Sequence, residues 1–153
     1  MRILIGVLLC FSFNIGLGQD SDKEAVKKAV EMFFDGFHNQ DSMAIKGTTS
    51  ADIIMQTVGR DENGISTVKP TKFNKFLKSI VSIPDTTKFH EKLLSYKIQV
   101  DGNMANAWTP YEFWINDTLS HCGVNSFQLH KKNGTWKIIY IIDTRRRDDC
   151  KLN

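Results

Sequence analysis

The stretch from Ser120 to Arg146, SHCGVNSFQLHKKNGTWKIIYIIDTRR, constrains the fold more tightly than any other part of the chain. Two runs of alternating polarity flank Asn133-Gly134, a dipeptide that accepts the positive φ angles of a two-residue hairpin turn. Such a turn sets Lys132 opposite Thr135. An unbroken antiparallel register then puts Leu129 opposite Ile138, Phe127 opposite Tyr140, Asn125 opposite Ile142, Gly123 opposite Thr144 and His121 opposite Arg146, all on one face. That face is apolar beside the turn and polar at its far end. The gradient suits a cone that is closed at a greasy tip and open at a polar rim.

The preceding chain supplies the other walls. From Ser21 to Asn39, the residues Val26, Ala29, Val30, Phe33 and Phe37 recur at helical spacing, and Ser21 with Glu24 forms a capping box. Asp41 can cap a short second helix. ADIIMQTVG reads as a strand from its β-branched content, and Thr71 can cap a third helix whose apolar stripe is Phe73, Phe76, Leu77 and Ile80. KLLSYKIQV and MANAWTPYEFWI continue into the hairpin as an antiparallel meander, with turns at Asp101-Gly102-Asn103 and Asn116-Asp117. They add Ile98, Val100, Ala105, Ala107, Tyr111 and Phe113 to the inner face, where the alanines leave room for a helix. Helices followed by a meander predict an α+β, cone-shaped roll, with the N-terminal helices packed on a strongly curved, mostly antiparallel sheet.

The opening segment, MRILIGVLLCFSFNIGLGQ, has the form of a secretory signal: Arg2, an apolar run from Ile3 to Phe13, and small residues at Gly16 and Gly18. Residues 1–18 are therefore expected to be removed, leaving one domain over 19–153 in an exported protein, periplasmic or secreted. The apolar run is well short of the ~20 residues a spanning helix needs, so no membrane association is expected after cleavage. With 41% hydrophobic and 24% charged residues, the chain can bury one ordinary core but hardly two. Loss of Arg2 would lower the formal charge from +3 to +2. The remaining basic residues are scattered, which argues against nucleic acid as a partner. Arg145, Arg146 and Arg147 are followed by Asp148 and Asp149, the pattern of a solvated strand end that could still hold an anion.

Cys122 and Cys150 both lie beyond the leader. In the hairpin register Cys122 faces Arg145, and an extended tail would carry Cys150 roughly 17 Å further at ~3.4 Å per residue. Bridged Cα atoms lie within ~7 Å of each other. Register thus argues against a disulfide unless the tail folds back.

In this order of elements, VDGNMANAW, SHCGVNSFQL, NGTWKI and IIDTRR resemble the nuclear transport factor 2-like superfamily from Lys23 to Arg147. They are most similar to its exported lumazine-binding branch, near the SnoaL-like group. The resemblance implies a cone of one long helix, short helices and a curved sheet, commonly dimeric. It implies no single activity, because isomerases, cyclases, dehydratases, ligand binders and protein-binding modules share that scaffold.

The candidate site follows from the inner face. Phe37, Met55, Tyr111, Phe113 and Tyr140 would wall a pocket, with Phe33 and Phe127 deeper in the core, and His121, Asn125, Thr144 and Arg146 would line its rim. His121 can take a proton near neutral pH and Tyr111 can polarise an oxygen, although a rim histidine bonded to a neighbouring strand is the plainer role. Asp143 falls on the outer face opposite Val124, where it would pair with a lysine or arginine. A bulge of one residue would turn it into the pocket as a base in apolar surroundings. Glu91 and Glu112 read as edge ion pairs, and His38 as a charged group at a helix C-terminus. Trp108, Trp114, Val124, Ile139 and Ile141 make an outer face apolar enough for a homodimer interface.

His38, His90, His121 and His130 lack metal-ligand spacing, and no cofactor motif is present. The sequence therefore predicts a domain that binds an apolar or aromatic small molecule without cofactor or metal. Two alternatives stand beside it: an isomerase or cyclase using His121 or Asp143, and a homodimeric protein-interaction module.

Overall fold

A computed structural model describes residues 16–150, with side chains from Asp20 onward; the expected leader falls largely outside the described residues. The order of elements is α1 Gly16–His38, α2 Ser42–Thr48, β1 Thr49–Arg60, β2 Ser66–Thr71, α3 Phe73–Val81, β3 Phe89–Leu93, β4 Lys97–Asp101, β5 Met104–Ile115, β6 Thr118–Lys132 and β7 Thr135–Thr144. The strands form one seven-stranded sheet ordered β2-β1-β7-β6-β5-β3, with β4 also paired to β5. Only the β1–β7 pair is parallel among the described strands. The α+β roll expected from the sequence is thus present.

The helices bury the inner face of the sheet. α1 contributes Val26, Val30, Phe33, Phe34 and Phe37 to a core shared with Phe127, Leu129, Trp136 and Ile138. Ala105 and Ala107 are buried beneath the helical layer as expected. Asp41 caps α2, accepting from the amides of Met43 and Ala44 at 2.9 Å each. Two starts differ from expectation. α1 runs back through Ser21 to Gly16, so the capping box lies within a helix that continues upstream. α3 is preceded by Lys72 with no side-chain cap, because Thr71 is the last residue of β2 and pairs with Met55.

The segment expected as one strand, KLLSYKIQV, is broken into β3 and β4. Leu93 pairs with Tyr111 and Lys97 with Trp108, so Leu94, Ser95 and Tyr96 stand where the partner strand has Thr109 and Pro110. Proline has no N–H to give the ladder. Only its carbonyl is used there, accepting from Leu94 at 2.8 Å.

The β6–β7 register is regular from the turn to Leu129–Ile138, then shifts by one, so that Gln128 pairs with Tyr140, Phe127 with Ile141 and Asn125 with Asp143. This bulge reverses the expected facing of the second half of β7. Ile141 and Asp143 turn inward, while Tyr140 turns outward, its hydroxyl bonded to Gln56 of β1. Ile141 is therefore core, not interface, and Tyr140 is not a pocket wall. The shift displaces Thr144 and Arg146 as well, so neither lines the cavity.

Cys122 and Cys150 are joined, with their Cα atoms 5.6 Å apart. The extended tail assumed from register does not occur. Arg146 and Cys122 exchange two backbone hydrogen bonds, of 2.8 and 2.9 Å, and the chain then turns, with Asp149 at φ +60°. The folded-back tail leaves Cys122 only 3% exposed.

Candidate ligand cavity

Between the helices and the curved sheet lies a cavity of about 640 Å³. Its apolar lining comes from Phe33, Phe34 and Phe37 of α1, Phe76 and Ile80 of α3, Met55 of β1 and Phe113, Phe127 and Ile141 of the sheet. Phe33 and Phe37 stack on Phe76 with nearly parallel rings, at 6.2 and 6.1 Å between centroids. A flat, largely apolar molecule would meet aromatic faces there.

One cluster of polar groups forms where strands β1, β3, β6 and β7 contribute Thr57, Glu91, His121, Asn125 and Asp143, with Arg145 just after β7, while Lys72, Lys75 and Ser79 line the cavity at α3 and the residue before it. Asn125 is 6% exposed and donates from Nδ2 to Oε1 of Glu91 at 2.7 Å. Burial raises the Glu91 carboxyl to about 7, against the opposing pull of that hydrogen bond, and the nearby Asp143 charge raises it further. Glu91 is thus poised between its charged and neutral forms near neutral pH. This differs from the edge ion pair expected from the sequence.

Asp143 is already committed. Thr57 donates to Oδ1 at 2.6 Å and Arg145 Nε donates to Oδ2 at 2.7 Å. Both carboxylate oxygens are occupied by donors, an arrangement suited to holding Arg145 and the strand ends in place.

Tyr111 is 2% exposed and spends its proton on the carbonyl of Thr144, at 2.9 Å. The bond passes over Gly123, where a Cβ would stand 1.8 Å from the Thr144 oxygen and 3.0 Å from the tyrosine ring. Burial, reinforced by the charges of Glu91 and Asp143, raises the phenol well above its ordinary range. In this arrangement Tyr111 offers the cavity its ring; its hydroxyl proton is engaged elsewhere.

His121 lines the cavity with its ring tilted against Phe113, at 4.8 Å between centroids. Burial lowers its proton affinity first, and the Arg145 charge adds to that. Its Nδ1 lies 3.2 Å from the Ser120 hydroxyl. His38 differs from its expected charged state at the end of α1. Burial lowers it to about 4, and its Nε2 accepts the backbone N–H of Glu91 at 3.0 Å, which requires a neutral ring. His38 therefore ties α1 to the strand that carries Glu91.

Of the expected pocket residues, Phe37, Met55, Tyr111, Phe113, His121 and Asn125 line the cavity, joined by Asp143 through the bulge. Glu91, Thr57 and Arg145 were not singled out as cavity residues. Alternation within FHEKL places Glu91 on the same side as Phe89 and Leu93, which is the sequence signal for its inward facing. On the outer face Trp108 and Ile139 are exposed and Trp114 and Val124 half-buried. Among the described residues no group of three or more His, Cys, Asp or Glu side chains is placed to hold a metal, and no helix is long and apolar enough to cross a membrane.

Solved structures share this arrangement across nearly the whole domain. A protein of unknown function from Shewanella baltica, described as NTF2-like, is 15% identical; the match covers 84% of this chain and 97% of that one, with a TM-score of 0.62. A protein from Nostoc punctiforme, described as having a cystatin-like fold, matches at 14% identity, 84% and 93% coverage and a TM-score of 0.65.

The chain has the NTF2-like, cystatin-like fold.

The same NTF2-like fold occurs in a proposed dehydratase from Streptomyces avermitilis, 16% identical, covering 83% of this chain and 97% of that one, with a TM-score of 0.63. No protein-family model and no curated protein matches the chain. The resemblance therefore reaches the NTF2-like fold but not the lumazine-binding branch within it.

Proposed function

We propose that this chain is an exported protein whose conical cavity binds one small, largely apolar and aromatic molecule. The observation that carries this reading is the cavity itself: about 640 Å³, aromatic at its base, with Glu91, Asn125 and His121 converging as a few hydrogen-bonding groups. Ligand pockets of ~300–1,000 Å³ with that division of labour are typical of drug-sized molecules. Export rests on the leader-like segment, and a disulfide between Cys122 and Cys150 is in keeping with an oxidising compartment. Trp108, Trp114, Val124 and Ile139 would be covered in a homodimer, with Ile141 no longer among them.

The test is a titration of aromatic compounds into the folded protein, with bicyclic heteroaromatics first because of the lumazine-branch resemblance. Binding is followed by calorimetry for the wild type and for Asn125→Leu. Saturable 1:1 binding that weakens about tenfold or more in the variant supports the reading. An absence of binding across the series would sink it.

A second reading is favoured by one observation: a carboxyl raised to about 7 in an apolar cavity is matched to proton transfer at neutral pH. On that reading the protein is a cofactor-independent isomerase, cyclase or dehydratase, with Glu91 as the acid or base. Asp143 and Tyr111 would position the strand ends rather than react. Deuterium wash-in from heavy water at the carbon next to a bound carbonyl, lost in Glu91→Gln while binding persists, separates enzyme from binder.

A further inference from the structure

We infer that a second, arginine-lined groove binds a multiply charged oxyanion, a phosphate or sulfate group. The groove, about 500 Å³, lies where the ends of β1 and β2 meet the tail after β7, and its charged lining is Arg60, Arg145, Arg146, Arg147 and Asp148. This inference does not depend on the ligand of the larger cavity.

Three features argue for a built site rather than a solvated strand end. The arginines come from separate parts of the chain, since Arg60 ends β1 while the other three follow one another immediately after β7. The tail that carries Arg146 and Arg147 is held at both ends, by the two Arg146–Cys122 backbone hydrogen bonds and by the Cys122–Cys150 disulfide. Arg60 is also fixed, donating from Nη1 to the carbonyl of Gly64 at 2.7 Å. Arginines on an anchored backbone lose less freedom on binding than they would on a free tail, and the planar guanidinium fork matches a tetrahedral oxyanion bidentately.

Charge balance points the same way. Asp143 engages Arg145 from the cavity side, and Asp148 is the groove's own carboxylate. Four guanidinium groups thus face two carboxylates, an excess that a doubly charged anion would neutralise. Thr144 and Ser66 also line the groove and offer hydroxyls of suitable type.

Sodium phosphate is titrated into the disulfide-bonded protein by calorimetry at constant ionic strength, with sodium chloride as the control. The variants are Arg60→Ala and the double Arg146→Ala/Arg147→Ala; all three positions are exposed, and thermal unfolding in chloride confirms that each variant folds. One saturable phosphate site is expected, weakened about tenfold or more for each guanidinium removed. Phenyl phosphate forms the second arm: a response equal to that of phosphate assigns the site to a free anion, and a stronger one to the head group of a larger molecule. Chloride acting as well as phosphate, or both variants binding phosphate like the wild type, would overturn the inference.

Discussion

The side-chain amide of Asn125 on β6 reaches over β5 and donates a 2.7 Å hydrogen bond to Glu91 on β3. Glu91 is held from its other side as well, because its backbone N–H is donated to His38 at the end of α1. The carboxyl is therefore held in an aromatic cavity by a neutral amide, and its backbone by a neutral imidazole, with no cation bonded directly to the carboxyl among the described residues.

That arrangement predicts a pH dependence of stability with two opposing parts. Glu91 titrates near 7 in the folded protein instead of about 4.5, so its contribution is fully present below 4.5 and is lost as the pH rises through 7. His38 titrates near 4 instead of 6.5, so its contribution is present above 6.5 and is lost as the pH falls through 4. Between pH 4.5 and 6.5 the two slopes oppose each other in the wild type. Glu91→Gln keeps an acceptor for Asn125 and removes the opposing slope, so stability should rise with pH in that window, through His38 and the likewise lowered His121, by roughly 1 kcal/mol once solvent screening of the half-buried rings is allowed for. Urea denaturation from pH 4 to 8 checks this, and a variant with the wild-type profile would remove Glu91 from the account.

Gly123→Ala should be among the costliest small substitutions in the chain. A methyl group there meets the Thr144 carbonyl at 1.8 Å, so β7 must move or Tyr111 must give up its bond. A loss of about 2–4 kcal/mol is expected. Tyr111→Phe, which removes only the hydroxyl, should cost about 1 kcal/mol. Denaturant midpoints of the two variants give the comparison.

Residues Ile139 and Ile141 test the bulge directly. Ile141→Glu buries an unpaired charge at a site 6% exposed and should cost several kcal/mol or prevent folding. Ile139→Glu lies on the outer face at 37% exposure and should fold at a cost of ~0.5 kcal/mol; if the proposed homodimer forms through that face, sedimentation should also show it weakened. Without the bulge the two isoleucines would share the outer face and both variants would fold.

Cys150→Ser should destabilise the protein by about 3 kcal/mol, as the Cys122–Cys150 crosslink spans 28 residues. Thermal unfolding of the variant beside the wild type measures it, and an unchanged Tm would mean that the tail adds nothing to the fold.

The fold was legible where one polarity pattern ran without interruption. MANAWTPYEFWI became β5 with the boundaries its alternation implies, and the Asn133-Gly134 turn sits where its φ preferences put it, at +51° and +78°. The bulge was not legible because it falls within WKIIYIID, where both parities are apolar and the pattern looks the same before and after an inserted residue. From that one shift follow the misplacements of Tyr140, Ile141, Thr144 and Arg146, and the arrival of Asp143 in the cavity. The disulfide was open in the sequence for a different reason: an extended tail forbids it and a folded-back tail allows it, and the turn after Arg146 carries no hydrophobic signal to decide between them. The β3–β4 break had a visible cause in Pro110, but one that acts on a neighbouring strand rather than on its own.

Native mass spectrometry of the protein purified from its own source tests the central claim most directly. The account predicts a folded species heavier than the bare chain by one small molecule, which is released on denaturation and identified as largely apolar and aromatic. It further predicts that this molecule rebinds to the wild type and rebinds about tenfold or more weakly to Asn125→Leu. A protein that flies at its bare mass, and whose amides at Glu91, Asn125 and Phe127 show no NMR shift with any aromatic compound offered, would contradict it.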